Sequence, residues 1–107
     1  MLEEKKGKAL FIIIQRLMGE YRRQGGISKR IQNLFEGALV IHSTPSSNEV
    51  RLLMMVITQM VNDYRRQGGE NEQVYNLFEA AQQIDAAQSD LSFNKALGWT
   101  IPPITDI

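Results

Sequence analysis

The chain has 107 residues, of which 43% are hydrophobic and 22% are charged, and this composition is typical of one globular domain. Because the sequence holds no cysteine, it excludes disulfide bonds, thiol catalysis and thiolate zinc sites, and it favours a reducing compartment. The formal net charge is zero, with an excess of Lys and Arg in residues 1–30 and of Asp and Glu in residues 31–107, so charge alone does not predict a nucleic-acid-binding protein.

The first predicted helix follows three N-terminal lysines, Lys5, Lys6 and Lys8. Apolar residues recur at positions 10, 13, 14, 17 and 21, the spacing of one face of an α-helix. The apolar run at 10–14 is too short for a secretory signal, and no stretch approaches the roughly 20 apolar residues of a membrane span. We therefore expect a cytoplasmic protein.

The hexapeptide YRRQGG occurs at residues 21–26 and again at 64–69. Residues 10–41 align with residues 53–84 without a gap, with fourteen identities in thirty-two positions. This similarity indicates an internal duplication with a repeat of 43 residues. We expect a single domain, 1–107, made of a first repeat at 10–41, a linker at 42–49, a second repeat at 50–88 and a C-terminal tail at 89–107.

Each repeat is predicted to be a helical hairpin with YRRQGG at its turn. Gly25 and Gly68 are placed to adopt the left-handed conformation that commonly ends a helix. Three residues after each glycine, Ser28 and Asn71 are residue types that favour the N-cap of a following helix. The hexapeptide therefore predicts a helix end, a turn and a new helix in both repeats.

The linker between the repeats is polar and contains Pro45. Ser46 and Glu49 have the spacing of a capping box, and Thr44 followed by Pro45 is a competing start signal. Both signals predict that the third helix begins near residue 46.

Short connections place neighbouring helices antiparallel, so the sequence predicts an all-α protein whose duplicated hairpin forms an up-down four-helix bundle. A second arrangement stays open, in which each hairpin packs on a second chain to give a helical dimer. The runs at 10–14 and 52–57 are apolar around more than one helix face, which favours burial against a partner or self-association.

The C-terminal tail lies outside the repeat and is rich in apolar residues. Residues 92–97 are predicted to form one helical turn that stops at Gly98, and the prolines at 102 and 103 predict an extended end. Two interpretations are open: the tail packs on its own bundle, or it is a linear motif that docks on another protein. The candidate partner-binding residues are Phe93, Leu97, Trp99, Ile101 and Ile104.

Both YRRQGG turns are expected at the same end of the bundle, where basic side chains would form an arginine-rich pole. Its residues are Arg22, Arg23, Lys29, Arg30, Arg65 and Arg66, and such a group suits the recognition of phosphates or nucleic acid. The structural alternative is that Glu20 and Asp63 each pair with the arginine three residues later, so that the motif is turn chemistry alone. Tyr21 and Tyr64 lie on the apolar stripes and are expected at the core margin.

The sequence contains no recognisable catalytic, metal-binding or cofactor-binding pattern. His42 is the only histidine, has no local acidic partner to orient it, and is expected to be a capping or exposed residue. We therefore expect a small non-enzymatic protein–protein interaction module, a regulator, adaptor or inhibitor of a larger protein, without cofactor or metal. The alternative is a nucleic-acid-associated regulator that uses the arginine-rich pole and the N-terminal lysines.

Overall fold

The computed structural model describes residues 2–44, 46–100 and 102–105. Within these residues the chain forms α1 (Leu2–Arg23), α2 (Lys29–Ser43), α3 (Glu49–Arg66), α4 (Glu72–Ala86) and α5 (Asp90–Leu97). No strand occurs in the described ranges, so the predicted all-α class is confirmed. The Cα radius of gyration is 13.1 Å, which matches the value of about 13 Å for a compact domain of 100 residues. None of the described helices combines the length and apolarity needed to cross a lipid bilayer.

The core is centred on α1 and α3, the two helices with the longest apolar stripes. Helix α1 packs against all four other helices, and α3 packs against α1, α2 and α4. The buried side chains of α1 include Leu10, Ile14 and Leu17, and those of α3 include Leu53 and Ile57. The periodicity read from the sequence therefore places the apolar faces correctly, and the run at 10–14 is buried within the chain itself except for two half-buried positions.

The two YRRQGG turns have the local geometry that the sequence predicts. Gly25 and Gly68 have φ angles of +79° and +82°, the left-handed region that glycine enters without steric cost. The side chains of Ser28 and Asn71 then accept backbone hydrogen bonds at the starts of α2 and α4. Local turn chemistry thus ends one helix and begins the next in both places.

The start of α3 differs from the prediction. The helix begins at Glu49, after Asn48 in the N-cap position, and no side chain caps it there. The Ser46 hydroxyl instead accepts a hydrogen bond from the Asn48 backbone nitrogen at 3.1 Å, which closes a local turn before the helix. The predicted capping box between Ser46 and Glu49 is therefore wrong, and Pro45 lies outside the described residues.

The tail contains a longer helix than the single turn expected from the sequence. Helix α5 begins at Asp90 because Ser89 and Ser92 form a capping box that satisfies the first free backbone N–H groups. It ends before Gly98, as predicted, and packs on α4 and α1. Beyond it, the Arg16 guanidinium donates a hydrogen bond to the Pro102 carbonyl oxygen at 2.5 Å, which holds this segment near α1.

Candidate interaction surfaces

The two YRRQGG turns lie side by side and bind each other through their polar side chains. The Tyr21 hydroxyl donates to Gln67 Oε1 at 3.5 Å, and the Tyr64 hydroxyl donates to Gln24 Oε1 at 2.8 Å. Gln24 and Gln67 occupy the same position in the two copies of YRRQGG, as do the two tyrosines. The contact between the turns is therefore reciprocal.

Each tyrosine also fixes the turn of its own repeat. The Tyr21 hydroxyl accepts a hydrogen bond from the Ser28 nitrogen at 2.5 Å, and the Tyr64 hydroxyl accepts one from the Asn71 nitrogen at 3.0 Å. Both rings are buried, as expected for residues at the core margin, so their faces are not available for stacking on a ligand. Each hydroxyl group thus bonds both to the backbone of its own turn and to a glutamine side chain of the other turn.

The six basic residues of the arginine-rich pole are all exposed, and three of them contact carboxylates. Arg23 forms hydrogen bonds with Glu20, and this hydrogen bond and the nearby negative charge raise the pKa of Arg23 above its usual value. Arg66 and Arg30 both approach Asp63 Oδ1, at 3.4 and 3.6 Å. The two pairs at i, i+3 are those that the sequence spacing indicates, whereas the Arg30 contact joins α2 to α3.

The remaining basic residues of the pole have a different environment. The Arg22 guanidinium lies 5.6 Å from the centre of the Phe35 ring, and that of Arg65 lies 5.2 Å from the centre of the Tyr75 ring. Within the described part of the chain, Arg22, Arg65 and Lys29 form no ion pair. These three cations are the members of the pole whose charge no neighbouring carboxylate offsets.

Two of the three N-terminal lysines contact the end of α4 and the start of α5. Lys6 is buried and its ammonium group donates to the Asp85 carbonyl oxygen at 2.8 Å. Lys5 Nζ lies 3.5 Å from Asp90 Oδ1, and Lys8 is exposed. Lys5 and Lys6 therefore hold the start of α1 against the end of α4 and the start of α5.

The predicted partner-binding residues of the tail fall into two groups. Phe93, Leu97 and Ile104 are buried in the core of the chain, with Phe93 only 1% exposed. Trp99 is 44% exposed, and Ile101 lies outside the described residues. The described part of the tail thus packs on its own helices and leaves the tryptophan at the surface.

Trp99 borders a cleft between α4 and α5. The cleft is lined by Gln83, Ala86, Ala87, Ser92, Lys95, Ala96 and Trp99. The alanines supply a shallow apolar floor, and the glutamine, serine and lysine supply polar groups around it. Leu91, on the first turn of α5, is 81% exposed. Trp99 is recognisable from the sequence as a candidate binding residue, but the cleft is not, because its floor consists of alanines that carry no distinctive signal.

His42 lines a second cleft, whose other lining residues are mostly charged or polar. The His42 ring stacks on Phe11 with ring centres 4.0 Å apart, and its Nδ1 lies 3.7 Å from Glu49 Oε2. The start of α3 brings Glu49 beside His42, but Nδ1 has no hydrogen-bond partner among the described residues, and the side chain is half-buried where the sequence predicts a capping or exposed residue. Gly7 permits this approach, because a Cβ atom there would collide with the Glu49 carboxylate. Nowhere in the described ranges do three or more His, Cys, Asp or Glu residues form a group that could hold a metal ion.

Comparison of the chain with protein-family models, with curated proteins and with solved structures found no match.

Proposed function

We propose that this chain is a small non-enzymatic protein–protein interaction module that acts in the cytoplasm as a regulator, adaptor or inhibitor of a larger protein. The observation that carries the proposal is the half-exposed Trp99 at the edge of the cleft between α4 and α5. Tryptophan is among the residues that contribute most to protein–protein binding, especially next to a pocket that excludes water. The exposed Leu91 on the same short helix extends the apolar area.

We further propose that the fold arose by duplication of one helical hairpin and has the up-down four-helix arrangement, with α5 added to it. The matched glycine conformations, the matched tyrosine hydrogen bonds and the reciprocal contacts between the turns all support this origin. In this arrangement the repeats build the scaffold, and α5 with Trp99 supplies the part that differs from the repeat. The binding surface then lies where this unrepeated element meets α4.

The test of this function is capture of a binding protein from the native lysate with three forms of the tagged chain. We expect the wild type and Met55→Ala to capture the same protein in stoichiometric amount, and Trp99→Ala to lose it. Met55 is the matched control because it is also a large apolar side chain that is half exposed, on α3. Equal capture by all three forms would refute the assignment of the surface around Trp99.

The second candidate function is that of a nucleic-acid-associated regulator. The observation that favours it is that Arg22, Arg65 and Lys29 are exposed and form no ion pair within the described residues. Phosphate contacts by these cations would make binding to an RNA or DNA oligonucleotide fall steeply as salt rises. The combined variant Arg22→Ala and Arg65→Ala would then reduce the salt slope, and Trp99→Ala would leave it unchanged.

A further inference from the structure

We propose that the two hairpins of this chain exchange between copies, so that two chains form a dimer in which α1 and α2 of one copy pack on α3 and α4 of the other. This inference goes beyond the proposed binding function, because it concerns the partner that the buried face of each hairpin accepts. Three features support it: the packing of helices between the hairpins, the symmetry of the contacts between them, and the single link that joins them.

Most of the helix packing joins one hairpin to the other. Helix α1 packs on α3 and α4, and α2 packs on α3. Under the repeat, the pair α1 and α4 corresponds to the pair α3 and α2, so the first helix of each hairpin packs on the second helix of the other. In the described residues α2 and α4 share no contact. Each hairpin therefore completes the core of the other.

The polar contacts between the hairpins show the same symmetry. Tyr21 binds Gln67, and Tyr64, at the position matched to Tyr21, binds Gln24, at the position matched to Gln67. A contact of residue i with j that is repeated as j with i is the mark of a two-fold, self-complementary interface. Such an interface can make the same contacts within one chain or between two chains.

The link between the hairpins is short, and its described residues lie at the surface. It spans residues 44–48, and the described residues in it, Thr44, Ser46, Ser47 and Asn48, are all exposed. The hydrogen bond between Ser46 and Asn48 in this link is exposed, and pairing with a second chain restores every contact between the hairpins. Exchange of an identical element is a low-cost route to dimers under these conditions.

The experiment changes the helix propensity of the link while keeping its length. In one variant residues 44–48 become five alanines, which favour a continuous helix from α2 to α3 that cannot fold back; in the control they become five glycines, which favour a reversal. We expect light scattering to give twice the monomer mass for the alanine variant and the monomer mass for the glycine variant, with similar helical circular dichroism. A folded alanine monomer would overturn the proposal.

A second measurement identifies the interface and covers the case in which the alanine variant fails to fold. The wild type is unfolded, refolded at increasing protein concentration from an equal mixture of isotope-labelled and unlabelled chains, and examined by isotope-filtered NMR. We expect a dimer fraction that grows with concentration and shows contacts between Tyr64 of one chain and Gln24 of the other. Monomer at every concentration, or a dimer without this contact, would overturn the proposal.

Discussion

Replacing Asp63 by alanine is expected to destabilise the fold more than any other change of a single charged residue at the turns. Asp63 is a buried carboxylate near the end of α3. One carboxylate oxygen accepts hydrogen bonds from Gln67 at 2.7 Å and from Ser28 at 3.3 Å, and the other lies near Arg66 and Arg30. The side chain therefore joins the first hairpin to the second.

The size of the effect can be worked out from these contacts. A hydrogen bond to a charged group contributes about 1.5–3 kcal/mol, and two neutral donors reach this carboxylate. The Arg66 and Arg30 side chains are 65% and 61% exposed, so their ion pairs add at most about 1 kcal/mol in total because water screens them. Gln67 is exposed and Ser28 is half-buried, so both freed donors regain bonds to water, which offsets about half of the roughly 3–6 kcal/mol that these two hydrogen bonds contribute. We therefore expect Asp63→Ala to lower the free energy of unfolding by about 2–3 kcal/mol.

Urea unfolding followed by circular dichroism measures this difference, and Glu20→Ala is the matched control. Glu20 occupies the position equivalent to Asp63 in the first repeat, but its side-chain contact is with the exposed Arg23. Its loss is expected to cost less than about 1 kcal/mol. Equal effects of the two substitutions, or a loss below about 0.5 kcal/mol for Asp63→Ala, would refute the view that the buried carboxylate links the hairpins.

Three further changes test the packing by the same urea unfolding measurement. Phe93→Ala removes a fully buried ring and is expected to lower the free energy of unfolding by about 3–5 kcal/mol. A much smaller loss would mean that the tail does not belong to the core. Gly69→Ala places a methyl group in collision with the buried ring of Tyr64 and should lower the free energy of unfolding by about 1–3 kcal/mol. An unchanged unfolding midpoint would contradict this close contact. Gly19→Ala, at an exposed position inside α1 with free space around it, should stabilise the protein by about 0.5–1 kcal/mol, and a loss would be inconsistent with this environment.

The parts of the fold that the sequence predicts are those determined by neighbouring residues. The turn glycines Gly25 and Gly68, the caps Ser28 and Asn71 and the apolar stripes of the first four helices all depend on local chemistry or on helical spacing. The same holds for the i, i+3 ion pairs at the turns. In each case the responsible residues lie within a single helix or a single turn, so the sequence alone contains the information.

The parts that the sequence did not predict depend on contacts between distant segments. Arg30 on α2 contacts Asp63 on α3. Glu49 stands beside His42 because Gly7 leaves room for its carboxylate. The cleft beside Trp99 exists because α5 packs on α4, and its alanine floor gives no signal in the sequence. Packing decides these features, and periodicity does not reveal packing partners.

The most direct test of the proposed function uses the fact that Trp99 is the only tryptophan of the chain. Labelling with 5-fluorotryptophan gives a single ¹⁹F NMR signal, which can be followed after addition of nuclease-treated native lysate. We predict that this signal shifts and broadens as the half-exposed ring becomes buried against a larger protein, and that the unlabelled chain reverses the change by competition. An unchanged signal, under conditions in which the chain still captures its binding partner, would contradict the claim that the surface around Trp99 mediates the function.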